Sequence, residues 1–222
     1  MAIAVAGVVA AVLAFAAFRT PTLEWRAIEP PLTAPVDSPG VVALDGELWV
    51  VGGLLPPTPA NEVGEATDAV QIYDPVGDRW RPGPPLRAPL DHAAVTTDGQ
   101  TVYVIGGRTD SNGEKVLQKG VYMLDEDHEG WTPLKPLPEP RQAGAAAWDG
   151  NRLVFAGGTT PDGSESADIY VLEGSSWRAA GELQTRREHL AAATDGRGQV
   201  WFIGGRAGST VLGSATSSTA TR

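Results

Sequence analysis

The sequence repeats one pattern four times, and this repetition limits the chain to a modular fold. Paired glycines close apolar runs at intervals of 54, 51 and 47 residues: Gly52-Gly53, Gly106-Gly107, Gly157-Gly158 and Gly204-Gly205. A tryptophan precedes each pair by 27, 26, 26 and 27 residues, at Trp25, Trp80, Trp131 and Trp177. Such constant intervals indicate supersecondary units of about fifty residues that bury a core by stacking on one another.

Each unit has the pattern of short strands joined by tight turns. The dipeptide Asp-Gly, a strong hairpin signal, separates two β-rich runs at Asp45-Gly46, Asp98-Gly99, Asp149-Gly150 and Asp195-Gly196. The second run is continuously apolar, as in residues 102–105, so we expect both of its faces to be covered. A strand carrying Tyr and a strand opening with Trp complete the unit. Four-stranded units of this kind predict an all-β propeller.

The unit resembles the kelch repeat. The shared features are the Gly-Gly pair, the Trp markers and a downstream tyrosine at Tyr73, Tyr122 and Tyr170. The resemblance covers about residues 23–206 and implies a kelch-type β-propeller, a fold whose rings generally hold six or seven blades. Because the Trp and Tyr markers keep a fixed spacing, we expect them to pack between blades rather than stack on a ligand. The glycines are expected to permit close backbone packing.

The blade count predicts three complete blades and part of a fourth. An outer strand at 23–28 precedes blades at 37–83, 91–134 and 142–180, and residues 189–205 supply two strands of another. No Tyr follows at the expected spacing, so the small, polar residues 207–222 are predicted to be a flexible tail. The chain is then either part of a larger ring or a four-bladed ring closed by its outer strand. Uncovered blade faces in the first case predict self-association.

The N-terminal residues 1–19 have the composition of a targeting segment. Residues 2–18 are apolar throughout, and Arg19 is the first charged side chain. This length suits a signal peptide with a small-residue cleavage site at 14–16, or a single membrane-spanning anchor with an N-terminal apolar helix. Both alternatives predict an extracytoplasmic protein, secreted or anchored, that contacts the membrane through this segment alone.

Charge and cysteine content exclude several function classes. The net charge of 17 − 27 = −10 argues against nucleic-acid binding, which requires a basic surface. The chain has no cysteine, which excludes disulfides, thiolate metal sites and the Tyr–Cys cofactor that the resemblance to kelch-type copper oxidases would imply. The three histidines do not cluster, since His128 lies in an acidic run, 125–129, on the opposite end from His92 and His189. We therefore predict no metal and no cofactor.

Candidate binding residues concentrate at one end of the predicted propeller, where the loops after Gly-Gly meet the connections between blades. They are Arg108, Arg141, Arg186, Arg187, His92, His189 and Arg206. Arginine forks suit carboxylates, such as those of sialic or uronic acids and acidic peptides, but the same arginines could instead pair with the abundant acids. Asp91-His92 and Glu188-His189 resemble general acid/base pairs, yet neighbouring residues of a strand point to opposite faces. No catalytic residue is predicted.

Two functions follow as hypotheses. The first is a scaffold module that binds a protein or glycan partner through its loop-rich end, because repeat folds with variable loops commonly present binding surfaces. The alternative is a sugar-active enzyme such as a sialic acid mutarotase, which the kelch resemblance implies for an exported chain with an arginine-rich mouth. Fold alone decides neither function.

Overall fold

The computed structural model describes residues 27–28, 32–59, 61–62, 64–111, 114–195 and 197–218. The described residues form strands, turns and loops and contain no helix. The apolar segment 1–19 and residues 23–26 of the predicted outer strand lie outside the described residues, and its last two residues, 27–28, are in no strand. Across the described part, no helix has the length and apolar character needed to span a membrane.

Three four-stranded antiparallel sheets follow one another along the chain as blades 1 to 3. Blade 1 contains β1 (Gly40–Leu44), β2 (Glu47–Val51), β3 (Val70–Asp74) and β4 (Arg79–Pro82). Blade 2 contains β5 (Ala94–Thr97), β6 (Val102–Ile105), β9 (Val121–Leu124) and β10 (Trp131–Pro133), with the hairpin β7 (Arg108–Ser111) and β8 (Glu114–Leu117) inserted after its Gly-Gly pair. Blade 3 contains β11 (Ala145–Trp148), β12 (Leu153–Ala156), β13 (Asp168–Glu173) and β14 (Ser176–Glu182).

Blade 4 has three strands within the described residues. They are β15 (Ala191–Thr194), β16 (Val200–Ile203) and β19 (Ala215–Ser217), and a small hairpin, β17 (Arg206–Ala207) with β18 (Thr210–Val211), is inserted after Gly205. The prediction of a flexible tail from residue 207 is therefore wrong up to residue 218. β19 pairs with β16 through backbone hydrogen bonds, which do not require the Tyr that marks this strand in the other blades.

The blades stack so that each first strand packs on the next one. The second strands of blades 2 and 3 are the centre of the core, as their uninterrupted hydrophobicity predicted: β6 and β12 are buried along their whole length. In blade 1 the prediction holds only for the second half of β2, because Leu48 is 38% exposed. Three clusters of buried side chains join the blades in sequence. Blade 1 shares a cluster with blade 2, blade 2 with blade 3, and blade 3 with blade 4.

Tryptophan indoles form hydrogen bonds between neighbouring blades at their outer edges. Trp131 of blade 2 donates its indole N–H to the Pro84 carbonyl at 3.0 Å, and Trp177 of blade 3 donates to the Lys135 carbonyl at 2.8 Å. Both acceptors lie in the connection leading from the preceding blade. Each indole therefore fixes its blade against its neighbour.

Paired glycines let the blades approach closely at the inner end. Gly106 has a φ of 65°, and a Cβ built there would lie 2.5 Å from the Arg141 carbonyl oxygen. The N–H of Gly107 donates to that same carbonyl at 2.8 Å. A side chain at Gly106 would therefore need an unfavourable φ and would displace the chain that leads into blade 3.

The two ends of the arc are uncovered. The first residue of each blade pairs with the last residue of the second strand. These partners are Val51, Ile105, Ala156 and Ile203 in blades 1 to 4. The first three of these partners are at most 2% exposed, but Ile203 is 46% exposed. At the other end, Val41 of blade 1 is 56% exposed. Blade 1 and blade 4 therefore do not cover each other, and the four blades form an open arc.

Candidate functional site

Four residues that precede the first strands form a backbone ladder around the inner end of the arc. Ser38, His92, Ala143 and His189 all have a left-handed backbone, with φ between 50° and 53°. His92 N–H donates to the Ser38 carbonyl at 3.3 Å, Ala143 N–H to the His92 carbonyl at 2.9 Å, and His189 N–H to the Ala143 carbonyl at 2.8 Å. The ladder holds one residue of each blade at the centre of the same end.

His92 belongs to a charged cluster of blade 2. Its Nδ1 lies 2.5 Å from Oδ1 of Asp91, a carboxylate with a completely buried side chain. Arg108 Nε donates to the same oxygen at 2.6 Å, and Lys115 Nζ lies 4.0 Å from the other. A buried carboxylate needs such partners, because isolation would make its charge very costly.

His189 belongs to the equivalent cluster of blade 4. Its Nδ1 lies 3.1 Å from Oε1 of Glu188. The same oxygen accepts a hydrogen bond from Arg206 Nε. The other oxygen, Oε2, accepts a hydrogen bond from the Thr159 hydroxyl of blade 3 at 2.8 Å. Burial alone would raise the pKa of Glu188, but the hydrogen bonds from Arg206 and Thr159 outweigh burial and lower it. Burial lowers the pKa of His189 against the opposing effect of Glu188. Near neutral pH the pair is therefore an ionised carboxylate beside a neutral imidazole.

These contacts correct the expectation that Asp91-His92 and Glu188-His189 point apart. The expectation assumed extended strands, in which successive side chains alternate. The strands begin two residues later, at Ala94 and Ala191. The left-handed backbone of each histidine turns its ring back onto the preceding acid.

The two histidines also meet each other. Their ring centroids are 5.1 Å apart with the planes at 85°. The residue between them in the ladder is Ala143 of blade 3, whose methyl group leaves room for contact across it. Sequence reasoning did not identify Ala143 as part of this site, although aligning the four repeats places it at the histidine position.

The loops after Gly-Gly interlock on this same end. In blade 2, Asp110 Oδ2 accepts the N–H of Ala66 in the blade 1 loop at 2.9 Å, and its Oδ1 lies 2.6 Å from Lys115. In blade 4, the N–H of Gly208 donates to Glu165 of the blade 3 loop at 2.7 Å. Both carboxylate oxygens of Asp110 are therefore engaged, one by the backbone of blade 1 and the other by Lys115. The loops therefore contact each other in two pairs, blade 1 with blade 2 and blade 3 with blade 4.

Arg141 and Arg187, two further candidates, are buried between blades rather than exposed on the central end. Arg141 is 1% exposed and bridges Glu139 and Asp168 through Nη2, at 2.5 and 2.8 Å. Arg187 is fully buried and donates to the carbonyls of Thr185, Gly204 and Ser214 and to the Ser214 hydroxyl. These two were wrongly placed at the mouth. Their positions correspond to Leu90 of blade 2, and they hold successive blades together.

Arg186 lies beside Arg141 and the blade 3 loop, in a cleft that His92 and His189 do not line. Its side chain is exposed and lines a cleft of about 570 Å³ together with Glu139, Asp162 and Glu182. The central end therefore retains four of the seven candidates: His92, His189, Arg108 and Arg206. Among the described residues, no group of three or more acids or histidines has a metal-binding arrangement. His128 stacks edge-on against Trp49 with centroids 5.8 Å apart, remote from the other two histidines.

Comparison with known proteins gives consistent results. The kelch motif matches residues 37–87. Kelch-like protein 25 of Xenopus tropicalis is 28% identical over 188 residues, which is 82% of this chain and 30% of that protein. Kelch-like protein 34 of Homo sapiens is 32% identical over 157 residues, 65% of this chain and 24% of that protein. Beta-scruin of Limulus polyphemus is 27% identical over 174 residues, 75% of this chain and 18% of that protein.

Similarity to a solved structure supports the same fold. The structure of YjhT superposes with a TM-score of 0.68 at 18% identity, covering 82% of this chain and 66% of that one. The chain spans less than a third of the length of the three curated relatives given above. The repeat markers, the four consecutive blades, the kelch motif match and these relatives together establish that the chain belongs to the kelch-repeat family of β-propellers.

Proposed function

We propose that the chain is an extracytoplasmic protein-binding module whose binding surface is the central end formed by the interlocked loops and the two His–acid–Arg clusters. The observation that carries the proposal is the placement of the variable insertions. The β7–β8 and β17–β18 hairpins both rise after Gly-Gly, on the end that also carries His92 and His189. A rigid scaffold that presents variable loops on one end is suited to binding.

The charge pattern of this surface favours a protein partner over a small acid. Arg108 pairs with Asp91, and Arg206 pairs with Glu188. Each arginine is therefore partly neutralised. Two cavities of about 680 and 570 Å³ are lined by residues other than His92 and His189. A broad face of paired charges matches the polar rim of protein interfaces better than the enclosed pocket that a small ligand requires.

Affinity capture with matched charge reversals tests this proposal. Arg206 is half exposed on the central end, whereas Arg178 is 69% exposed on the outermost strand of blade 3. We expect Arg206→Glu to lose specific protein partners that the wild-type full chain captures from its native extract. Arg178→Glu, which makes the same change of charge, should retain them. Equal capture by both variants would contradict the assignment of the surface.

A sugar-active enzyme remains the second candidate because of one observation, the contact between ionised Glu188 and neutral His189. A carboxylate and an imidazole in contact can share a proton and act as a general base. The test is anomeric exchange of N-acetylneuraminic acid followed by NMR. Exchange accelerated by the full chain and lost in Glu188→Gln, with the fold unchanged, would favour the enzyme. Partner capture that survives Glu188→Gln would favour the binding module.

A further inference from the structure

We infer that a cleft on blade 3 binds an arginine residue of a partner protein, with carboxylates for its guanidinium group and arginine donors for its main-chain carbonyl oxygen. The cleft has a volume of about 570 Å³ and lies between the loop 160–167 and the connections that enter and leave blade 3. His92 and His189 do not line it. The inference therefore does not rest on the binding surface proposed for the central end.

The cleft carries an excess of negative charge. Its basic side chains are Arg141 and Arg186. Its acidic side chains number five, so the net charge of the lining is −3: Glu139, Asp162, Glu165, Asp168 and Glu182. A cleft lined mainly by one sign of charge attracts the opposite sign, which favours a cation over an anion as the group that enters it.

Part of this negative charge is used within the protein. Arg141 Nη2 lies 2.5 Å from Oε1 of Glu139 and 2.8 Å from Oδ2 of Asp168, so one guanidinium serves two carboxylates. Glu165 accepts a backbone N–H from blade 4, and Asp162 accepts hydrogen bonds inside its own loop. These four acids therefore have structural partners.

Glu182 has no such partner. Its side chain is exposed, and within the described residues its carboxylate forms no hydrogen bond and no ion pair. It lies directly opposite Asp168 in the pairing of β13 with β14, and residues in that relation have Cβ atoms about 5 Å apart. Like charges placed directly opposite each other are destabilising. A cation bound between the two carboxylates would remove this repulsion.

The other complete blades do not carry this pair of acids. Two features align the blades: the first glycine of each Gly-Gly pair donates to the carbonyl of the first position, and a leucine directly follows the second. The equivalents in blades 1 and 2 are uncharged: Ala69 and Gly120 for Asp168, and Pro85 and Pro136 for Glu182. The packing of a blade therefore does not require an acid at either position.

Two arginine donors beside these carboxylates lack acceptors. Arg141 is 1% exposed, and its Nε has no hydrogen-bond partner within the described residues. A buried N–H without an acceptor is both uncommon and unfavourable. The side chain of Arg186 is exposed and forms neither a hydrogen bond nor an ion pair in the part of the chain that the structure describes. A ligand that satisfies the cleft therefore offers an oxygen acceptor as well as a cation.

An arginine residue of a polypeptide offers both groups. Its planar guanidinium can contact two carboxylates at once, which suits the neighbouring Asp168 and Glu182. Its main-chain carbonyl oxygen is an acceptor for Arg141 or Arg186. A metal ion or a polyamine offers no acceptor. The side chains of Glu139 and Asp168 are 44% and 42% exposed, so the contact should weaken as added salt screens it.

Fluorescence polarisation of labelled peptides on the full chain tests the inference. The probes are three heptapeptides of glycine and serine whose central residue is arginine, its neutral isostere citrulline, or glutamate. We expect the arginine peptide to bind at least about tenfold more tightly than the citrulline peptide, because hydrogen bonds between charged groups are stronger by about that factor. Equal binding of these two, tighter binding of the glutamate peptide, or no binding of the arginine peptide up to about 1 mM would overturn the inference.

Matched variants assign the binding to this cleft. Glu182→Gln should retain wild-type stability and lose most of the preference for arginine over citrulline. Glu126→Gln removes the same charge from an exposed turn at the opposite end of blade 2 and should keep the preference. Arg206→Glu, which tests the central surface, should keep it too, so the two proposals can fail separately. A preference that survives Glu182→Gln, or that Glu126→Gln abolishes equally, would show that the cleft does not bind the peptide.

Discussion

The first glycine of each Gly-Gly pair provides a comparison between covered and uncovered blades within one molecule. Gly106 and Gly204 have nearly the same backbone, with φ of 65° and 66°. A Cβ at Gly106 would lie 2.5 Å from the Arg141 carbonyl oxygen, which belongs to the connection into the next blade. A Cβ at Gly204 meets nothing closer than the Leu212 carbonyl oxygen at 3.7 Å. A substitution at either glycine therefore costs the same backbone strain, but only a side chain at Gly106 also clashes with a neighbouring blade.

The expected magnitudes follow from these distances. A left-handed backbone costs an alanine about 1–2 kcal/mol, and this cost applies to both variants. Part of it, about 0.4–1 kcal/mol, is recovered because alanine restricts the unfolded chain. At Gly106 the connection must also move by half an ångström or more, and overpacking of this kind costs about 1–3 kcal/mol. We expect Gly106→Ala to lower the free energy of unfolding by about 2–4 kcal/mol and Gly204→Ala by about 1 kcal/mol.

Urea denaturation followed by tryptophan fluorescence measures this difference. Gly205→Ala is the control within blade 4, because its Cβ would lie 2.5 Å from the Glu188 carbonyl oxygen. We expect Gly205→Ala to resemble Gly106→Ala in cost. Equal losses for Gly204→Ala and Gly205→Ala would refute the argument that contact with the next blade sets the penalty.

Two other predictions follow from the structure and one from the sequence. Arg187→Met should lower the free energy of unfolding by about 1–3 kcal/mol because it leaves the carbonyls of Thr185, Gly204 and Ser214 without these donors, whereas the same change at exposed Arg186 should be nearly neutral in urea denaturation. Glu188→Gln should destabilise the chain by about 1–2 kcal/mol at pH 7 through weakened hydrogen bonds. Since the folded pKa of Glu188 is lowered, its stabilisation is full above the usual value of 4.5 and is lost as the pH falls through the folded value, so the difference between wild type and variant in denaturation should shrink as the pH is lowered below 4.5. Residues 1–19 should export a periplasmic reporter, and mass measurement of the mature chain should show either cleavage or a retained anchor; a cytoplasmic product with Met1 would contradict both.

The repeat pattern predicted the blades and their core well because both depend on spacing. Gly-Gly and Trp recur at fixed intervals, and the apolar second strand can occupy only the covered centre of a sheet. The third strand of blade 4 was missed because it forms by backbone pairing, and its sequence Ala215-Thr216-Ser217 carries no marker. Pattern alone does not reveal a strand whose side chains are small and half exposed.

The candidate site was only half predictable for a different reason. Arg141 and Arg187 were assigned to the surface because arginine is seldom buried, but they occupy the position of Leu90 and the structure surrounds them with acceptors. The cooperation of His189 with Glu188 depends on one left-handed residue. Histidine adopts a positive φ more often than most residues, but neither propensity nor periodicity identifies which histidine of a sequence does so.

The ladder of Ser38, His92, Ala143 and His189 has a consequence for how such a surface can diversify. Its bonds are made by backbone atoms alone, and the four residues carry three kinds of side chain: hydroxyl, imidazole and methyl. The scaffold thus holds the backbone of each position fixed and leaves its chemical identity open. The side chains at these four sites can therefore be varied one blade at a time in a library of binding variants. Residues that tolerate a left-handed backbone, such as Asn, Asp and His, are the most suitable substitutions.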